Sequence, residues 1–336
     1  MAKKVLITGA GGFIGGFIVA EALRRGLDTW AAVRPSTKRD FLTDPRIHII
    51  ELDFTNSITL KQQIAKAVDE FGQWDYVIHN LGATKCTNFS DFNKINYSYL
   101  RTFVDVLRGI NAVPEAFLLM SSLSAMGVGD EVNYSPLTTA MIPHPNTRYG
   151  VSKLKAETYL QTLENFPYII FRGTGVYGPH EKDYYLMMKC IKRGFDFSVG
   201  MKKQMLTFIY VKDLAAAMFD ALDAGAKRKA YIISEPRAYT QKEFRAIVAK
   251  ELGKKVVIPV CCPMWIVYLV SRIAEWFGVL TMKPSTLNRD KYKIMKQRNW
   301  NCDISDAQRD FNFNPRYSLE KGVHEAIEWY RQEGWL

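Results

Sequence analysis

Short apolar runs alternate with longer segments of helical spacing along the first half of the chain. Val5–Thr8 reads as a strand and Phe13–Arg25 as a helix, followed by strands over Thr29–Val33 and Ile47–Leu52. A helix over Thr59–Phe71, a strand over Tyr76–His79, a helix over Tyr97–Leu107 and a strand over Ala116–Met120 continue the pattern. Tyr149–Leu163 is a further helix, and Pro167 marks the start of the strand Tyr168–Phe171, since proline is tolerated at a strand's first residue. Strands that alternate with helices imply right-handed crossovers and a parallel sheet covered on both faces. The expected fold class is therefore α/β, a doubly wound parallel sheet.

From about Gly173 the alternation breaks down and Lys, Met and aromatic residues become frequent. Leu214–Leu222 and Lys242–Leu252 look helical, with one more strand, Tyr231–Ile233, between them. There is no internal repeat, low-complexity tract or Gly/Ser linker. The lobes are thus expected to be interleaved. Residues 1–172 and about 207–234 make the Rossmann dinucleotide-binding domain; 173–206 and 235–336 make a smaller, mostly helical substrate lobe.

Composition narrows the classes. Of 336 residues, 48% are hydrophobic and 24% charged, which excludes wholesale disorder. Cys86, Cys190, Cys261, Cys262 and Cys302 form no CxxC pair and no His/Cys cluster, so no metal site is expected. Their odd number suits a reducing compartment, and the N-terminus lacks a signal peptide's apolar stretch, so a cytoplasmic location is expected. The net charge of +11 points to anionic partners: nucleic acid, a membrane surface or a phosphorylated cofactor. The basic residues are dispersed and no nucleic-acid motif occurs, so nucleic acid is not an expected partner. A small-molecule substrate and a second copy of the chain are.

The most apolar stretch, Cys261–Met282, carries Pro263, Arg272 and Glu275 and is not expected to span a membrane. Its segment Trp265–Phe277 is expected to be a buried helix lining the substrate site. The alternative is a helix lying on a membrane surface, with Lys283, Arg289, Lys291 and Lys293 following it.

Three constellations carry chemistry. Gly9-Ala10-Gly11-Gly12-Phe13-Ile14-Gly15 is a GxxGxxG run between the first strand and helix, where backbone can approach a pyrophosphate held at the helix N-terminus. The second strand runs into Arg34-Pro35-Ser36-Thr37-Lys38-Arg39 with no carboxylate before Asp40, which favours NADP and leaves NAD possible. Tyr149 and Lys153 form a YxxxK pair on one helical face, where an ammonium and a positively charged nicotinamide ring would lower the phenol's pKa. Ser121-Ser122, directly after the fifth strand, supplies a hydroxyl to position a substrate oxygen.

Together these residues resemble the extended short-chain dehydrogenases/reductases, which include nucleotide-sugar epimerases and dehydratases and hydroxysteroid-type dehydrogenases. Leu52-Asp53-Phe54, Val77–Ala83, Phe171-Arg172, Val176-Tyr177-Gly178-Pro179, Phe208–Leu214 and the C-terminal Phe313-Asn314-Pro315 add to the likeness, which spans essentially the whole chain. The resemblance implies that Ser122 polarises the substrate oxygen and Tyr149 is the acid/base. It implies that Lys153 binds the nicotinamide ribose, Asp53 and Phe54 flank the adenine, and Leu81 and Gly82 approach the adenosine ribose and pyrophosphate. Asn80, Met126 and Gly173 depart from the family's usual apolar residue, tyrosine and proline; the last change is expected to loosen a wall near the nicotinamide.

Gly175 and Leu206 stand where nucleotide-sugar enzymes of this family typically place an asparagine and an arginine, with Lys202 and Lys203 nearby as imperfect substitutes. Met187, Met188, Met201, Met205, Phe195, Phe197 and Phe208 suggest an apolar pocket. The expected activity is NAD(P)-dependent interconversion of a bulky, mainly apolar secondary alcohol and its ketone, hydroxysteroid- or dihydroflavonol-like. The alternatives are a nucleotide-sugar epimerase or dehydratase, and a peripheral-membrane or non-catalytic dinucleotide-binding protein.

Overall fold

Seven parallel strands frame the protein in the computed structural model, which describes residues 2–86, 88–280 and 288–336. They are β1 (Lys4–Thr8), β2 (Asp28–Val33), β3 (His48–Glu51), β4 (Tyr76–His79), β5 (Ala116–Met120), β6 (Tyr168–Gly173) and β7 (Lys229–Ile233). Their order across the sheet is β7-β6-β5-β4-β1-β2-β3, and every neighbouring pair runs parallel. The winding reverses between β1 and β4, and the glycine run lies at the C-terminal end of β1 beside that switch.

Strand residues are buried almost without alternation because helices cover both faces. Within β1, Val5 and Ile7 enter one apolar cluster and Leu6 the other. The first cluster packs α1 (Phe13–Arg24) against the sheet. The second packs α2 (Ser57–Phe71), α3 (Tyr99–Gly109) and α4 (Arg148–Thr162) on the opposite face. The helix expected from Tyr97 begins later, because Lys94–Ser98 forms a π-helical turn that buries Asn96.

Beyond Gly173 come α5 (Lys182–Lys192), α6 (Val211–Asp223), α7 (Gln241–Glu251), α8 (Met264–Leu280), α9 (Arg289–Lys296) and α10 (Leu319–Gln332). Helix α6 returns to pack beside α1 on the first face of the sheet. The rest is less purely helical than expected. Gly175–Tyr177 pairs with Phe208–Tyr210, Phe195–Val199 with Ile258–Cys262, and Met205–Leu206 with Tyr239–Thr240. These strands are short and lack the apolar runs that reveal the large sheet.

Two expectations about apolar residues are overturned. Met188 and Phe208 belong to the core that joins α5, α7 and α10, while Phe195, Phe197 and Met201 are exposed, so these residues do not line one pocket. Helix α8 is not buried: Val267 and Ser271 face inward, but Trp265, Leu269, Ile273 and Trp276 are 68%, 52%, 47% and 60% exposed. Spacing reveals an apolar stripe without revealing which way it faces. Met282 and Lys283 lie outside the described residues. No helix among the described residues is long and apolar enough to cross a membrane.

Candidate active site

The glycine run forms a tight turn into α1. Gly9 has φ +68°, and a Cβ there would stand 2.9 Å from the backbone nitrogen of Leu81. A Cβ on Gly15 would collide with the Gly9 carbonyl oxygen, so strand and helix are in direct backbone contact. Gly12 caps α1 without a side chain, and Phe13, Ile14 and Gly15 follow as its opening residues. Their first-turn amides face the end of the sheet with no capping side chain, a cradle that fits the pyrophosphate of a dinucleotide.

At the end of β2, Arg34 and Thr37 close a turn through two hydrogen bonds, Thr37 N–H to the Arg34 carbonyl at 2.9 Å and Arg34 N–H to Thr37 Oγ1 at 3.0 Å. The turn lays the Thr37 methyl over Gly11. Arg34 and Lys38 are exposed and form no ion pair among the described residues, whereas Arg39 pairs with Glu51 at 3.1 Å. Asp53 Oδ1 accepts from the Thr55 hydroxyl at 2.6 Å, and that bond holds its carboxyl below the usual range. Phe54 turns its ring into the core against Phe103, 5.5 Å away.

The catalytic candidates meet at the C-terminal end of β5. Ser122 caps a short 3-10 turn, accepting from Ser124 N–H at 3.2 Å, and its hydroxyl lies close enough to the Tyr149 phenol to influence its titration. Tyr149 sits in the first turn of α4, which Thr147 caps through Gly150 N–H at 2.9 Å. Burial pushes the Tyr149 hydroxyl above the ordinary phenol value, and the Ser122 hydroxyl counters it. The expected lowering by Lys153 is not present in the protein alone. Lys153 is itself buried, and its Nζ donates to the Met120 carbonyl at 2.8 Å. Burial drives its pKa down to about 8, with Glu157 opposing. Lys153 also closes against the loop after β4, since a Cβ on Gly82 would stand 2.9 Å from Nζ.

Three supporting residues escaped the sequence reading. Asn96 Oδ1 accepts from Ala83 N–H at 2.7 Å while Nδ2 donates to Ser152 Oγ at 2.9 Å, tying the Leu81–Ala83 loop to α4. Asp290, on α9, accepts from the Tyr149 backbone N–H at 3.0 Å across 141 positions of sequence. Behind Lys153, Arg172 binds fully buried Glu157 at 2.7 Å, and Ser121 donates to the same carboxylate. The π-helical turn is the only local signal for Asn96, and periodicity does not register it.

The departures also find neighbours. Gly173 does not leave a gap, because the Met120 methyl lies 2.8 Å from where its Cβ would be. The Tyr184 hydroxyl occupies the side-chain position of Gly175. Asp183 pairs with Lys85 at 2.6 Å and Lys291 at 3.2 Å. Buried Arg298 donates to the Val199 carbonyl at 2.8 Å. Lys202 and Lys203 stand exposed, Lys203 over the Tyr134 ring. Among the described residues, no three His, Cys, Asp or Glu side chains converge as a metal site.

Residues 5–234 match the NAD dependent epimerase/dehydratase family. The chain belongs to that family. A ceramide reductase of Caulobacter vibrioides is 24% identical over 334 residues, covering 99% of this chain and 96% of that one. A UDP-glucuronate 4-epimerase of Arabidopsis thaliana is 26% identical over 355 residues, covering 97% and 75%. A solved UDP-glucose 4-epimerase of Thermotoga maritima, carrying UDP-glucose, superposes with a TM-score of 0.78 at 20% identity over 98% and 99% of the two chains. Nucleotide-sugar enzymes of this kind back the epimerase/dehydratase alternative better than a hydroxysteroid-like reductase. NAD is the dinucleotide in the family's description.

The buried ammonium has a measurable signature. With a folded value near 8, below the reference of 10.5, the unfolded chain holds more protons between those pH values, so stability rises with pH across that window. The gain is capped at roughly 3 kcal/mol. Denaturant titrations of the cofactor-free protein should show this rise in the wild type relative to Lys153→Met; parallel pH profiles would refute it.

Proposed function

We propose that this protein catalyses NAD(P)-dependent hydride transfer at a secondary carbinol or ketone carbon of a mainly apolar substrate. The observation that carries the chemistry is the convergence of Ser122, Tyr149 and Lys153 beside Gly82, at the strand ends facing the glycine cradle. A nicotinamide dinucleotide held there supplies or accepts the hydride. Ser122 holds the substrate oxygen. In the reducing direction Tyr149 Oη delivers its proton to that oxygen, and the raised phenol value keeps the proton in place until it is needed. Lys153 places positive charge beside the ribose position, and Asn96 keeps loop and helix in register.

Support for an apolar substrate comes from the cations around the site. Tyr184 fills the place of a phosphate-holding asparagine, Leu206 stands in place of an arginine, and Arg298 is committed to backbone carbonyls. Lys85 and Lys291 share the single carboxylate of Asp183. A diphosphate buried without free cationic donors is costly. The ceramide reductase relative acts, by its name, on a lipid. The second reading, a nucleotide-sugar epimerase or dehydratase, is favoured by the number of such enzymes among the relatives and uses the same three catalytic residues.

For the cofactor, exposed Arg34 and Lys38 favour NADP. Fluorescence titration should show NADPH binding more tightly than NADH, by a margin that falls tenfold or more in Arg34→Ala, since a charge-assisted contact is worth roughly 1.5–3 kcal/mol. Equal affinities in the wild type would assign NAD instead. For the chemistry, Tyr149→Phe should lose about a thousandfold in turnover of an apolar ketone while cofactor affinity is kept. Turnover near wild type would remove Tyr149 from its role.

A further inference from the structure

Outside the catalytic cleft, one surface combines exposed apolar side chains with a one-sided charge. The parallel pair Phe195–Val199 and Ile258–Cys262 is in register Phe195 to Ile258 and Phe197 to Val260, so these four side chains share one face. Phe195, Phe197 and Ile258 are 43%, 53% and 53% exposed; the opposite face buries Asp196 against Arg245 at 3.2 Å. Directly after this ribbon, α8 presents Trp265, Leu269 and Ile273 along one stripe, flanked by exposed Ile266, Val270 and Trp276. Arg272 is the charge on that outer side.

The rim is basic. Residues 189–203 and 254–276 contain eight Lys or Arg and two acids. Both acids are engaged, Asp196 by Arg245 and Glu275 by Arg289 at 2.9 Å. Ile258 N–H donates to the Gly194 carbonyl at 2.8 Å, which brings exposed Lys192 and Arg193 to the same end of the ribbon as exposed Lys254 and Lys255. At the other end Met201, 95% exposed, precedes Lys202 and Lys203, and Gly200 abuts Met264 at the start of α8.

We propose that this face, α8 with the Phe195–Val199/Ile258–Cys262 ribbon, docks the protein onto an anionic membrane surface. A helix with Trp and Leu on one side inserts that side at the boundary between headgroups and acyl chains, where indole rings are favoured. The lysines then meet anionic headgroups instead of one another. Charge argues against a second copy as the occupant, because a two-fold contact sets the same cations face to face.

The placement also connects the surface to the site. Tyr268 on α8 packs on Tyr292 of α9 with centroids 5.4 Å apart, and Asp290 of α9 accepts from the Tyr149 backbone. The docked face is therefore connected to the Tyr149 backbone through α8 and α9. Docking itself does not depend on the substrate class, and its test uses no substrate.

Full-length protein is sedimented at moderate salt with phosphatidylcholine vesicles and with vesicles that also contain phosphatidylglycerol. Binding to the anionic vesicles, weakened by added salt and reduced at least tenfold in Trp265→Glu/Leu269→Glu and in Lys254→Glu/Lys255→Glu, is the expected result. Both pairs are exposed, and unchanged melting temperature and NADPH affinity would confirm that the variants fold. Failure of the wild type to sediment, or equal sedimentation of all three proteins, overturns the proposal. So does a wild-type dimer in analytical ultracentrifugation that becomes monomeric in Trp265→Glu/Leu269→Glu, which would make this face a contact between copies.

Discussion

The catalytic end of this protein is organised around a buried ammonium. Lys153 is 5% exposed and spends one donor on the carbonyl of Met120, the last residue of β5. That bond ties α4 to the sheet and fixes Tyr149, one helical turn earlier, over the strand ends. Taking the charge out of water is expensive, and the answer is a second buried pair one turn further on, Glu157 with Arg172, which also holds Ser121. Glu157 opposes the downward shift of Lys153, so the pair behind the site helps keep the ammonium charged. Asn96 and Gly82 close the remaining side.

Much of this was legible from residues alone. The seven strands and the helices between them follow from apolar runs and helical spacing, and the end of each strand is set to within a residue or two. The glycine run, the serine pair and the YxxxK spacing carry their chemistry locally, so they could be read without a fold. What could not be read depends on contacts between distant positions. Asp290 reaches Tyr149 only because α9 folds back over α4, and no pattern near residue 290 signals it. Tyr184 takes the slot at Gly175 through α5, and the Met120 methyl takes the one at Gly173 through β5. The apolar residues of the second lobe misled for a different reason. Composition counts Phe195, Phe197 and Phe208 alike, yet pleating and packing send the first two to solvent and the third to the core.

Family membership sets the chemistry more firmly than the substrate. The relatives named include epimerases, dehydratases and a reductase, and the proposed roles of Tyr149, Ser122 and Lys153 suit any of these. The difference lies in what holds the rest of the substrate. Here several cations already have partners: Lys85 and Lys291 share the carboxylate of Asp183, and Arg298 donates to a backbone carbonyl. The apolar surface that a soluble, sugar-nucleotide substrate would not need stands two helices away. The proposal of an apolar substrate rests on the partners of those cations and the docking proposal on exposed hydrocarbon, and each has its own test.

An epimerase or dehydratase returns its hydride to the molecule it came from, whereas a reductase gives up the cofactor's hydride to product. The most direct measurement is therefore mass spectrometry of product formed with NADPH that carries deuterium at the transferable position, using long-chain apolar ketones beside a panel of nucleotide sugars. The account predicts deuterium on the carbinol carbon of an apolar alcohol and no conversion of nucleotide sugars. Conversion of a nucleotide sugar with the label retained on the cofactor, and no labelled alcohol from any ketone, would contradict it.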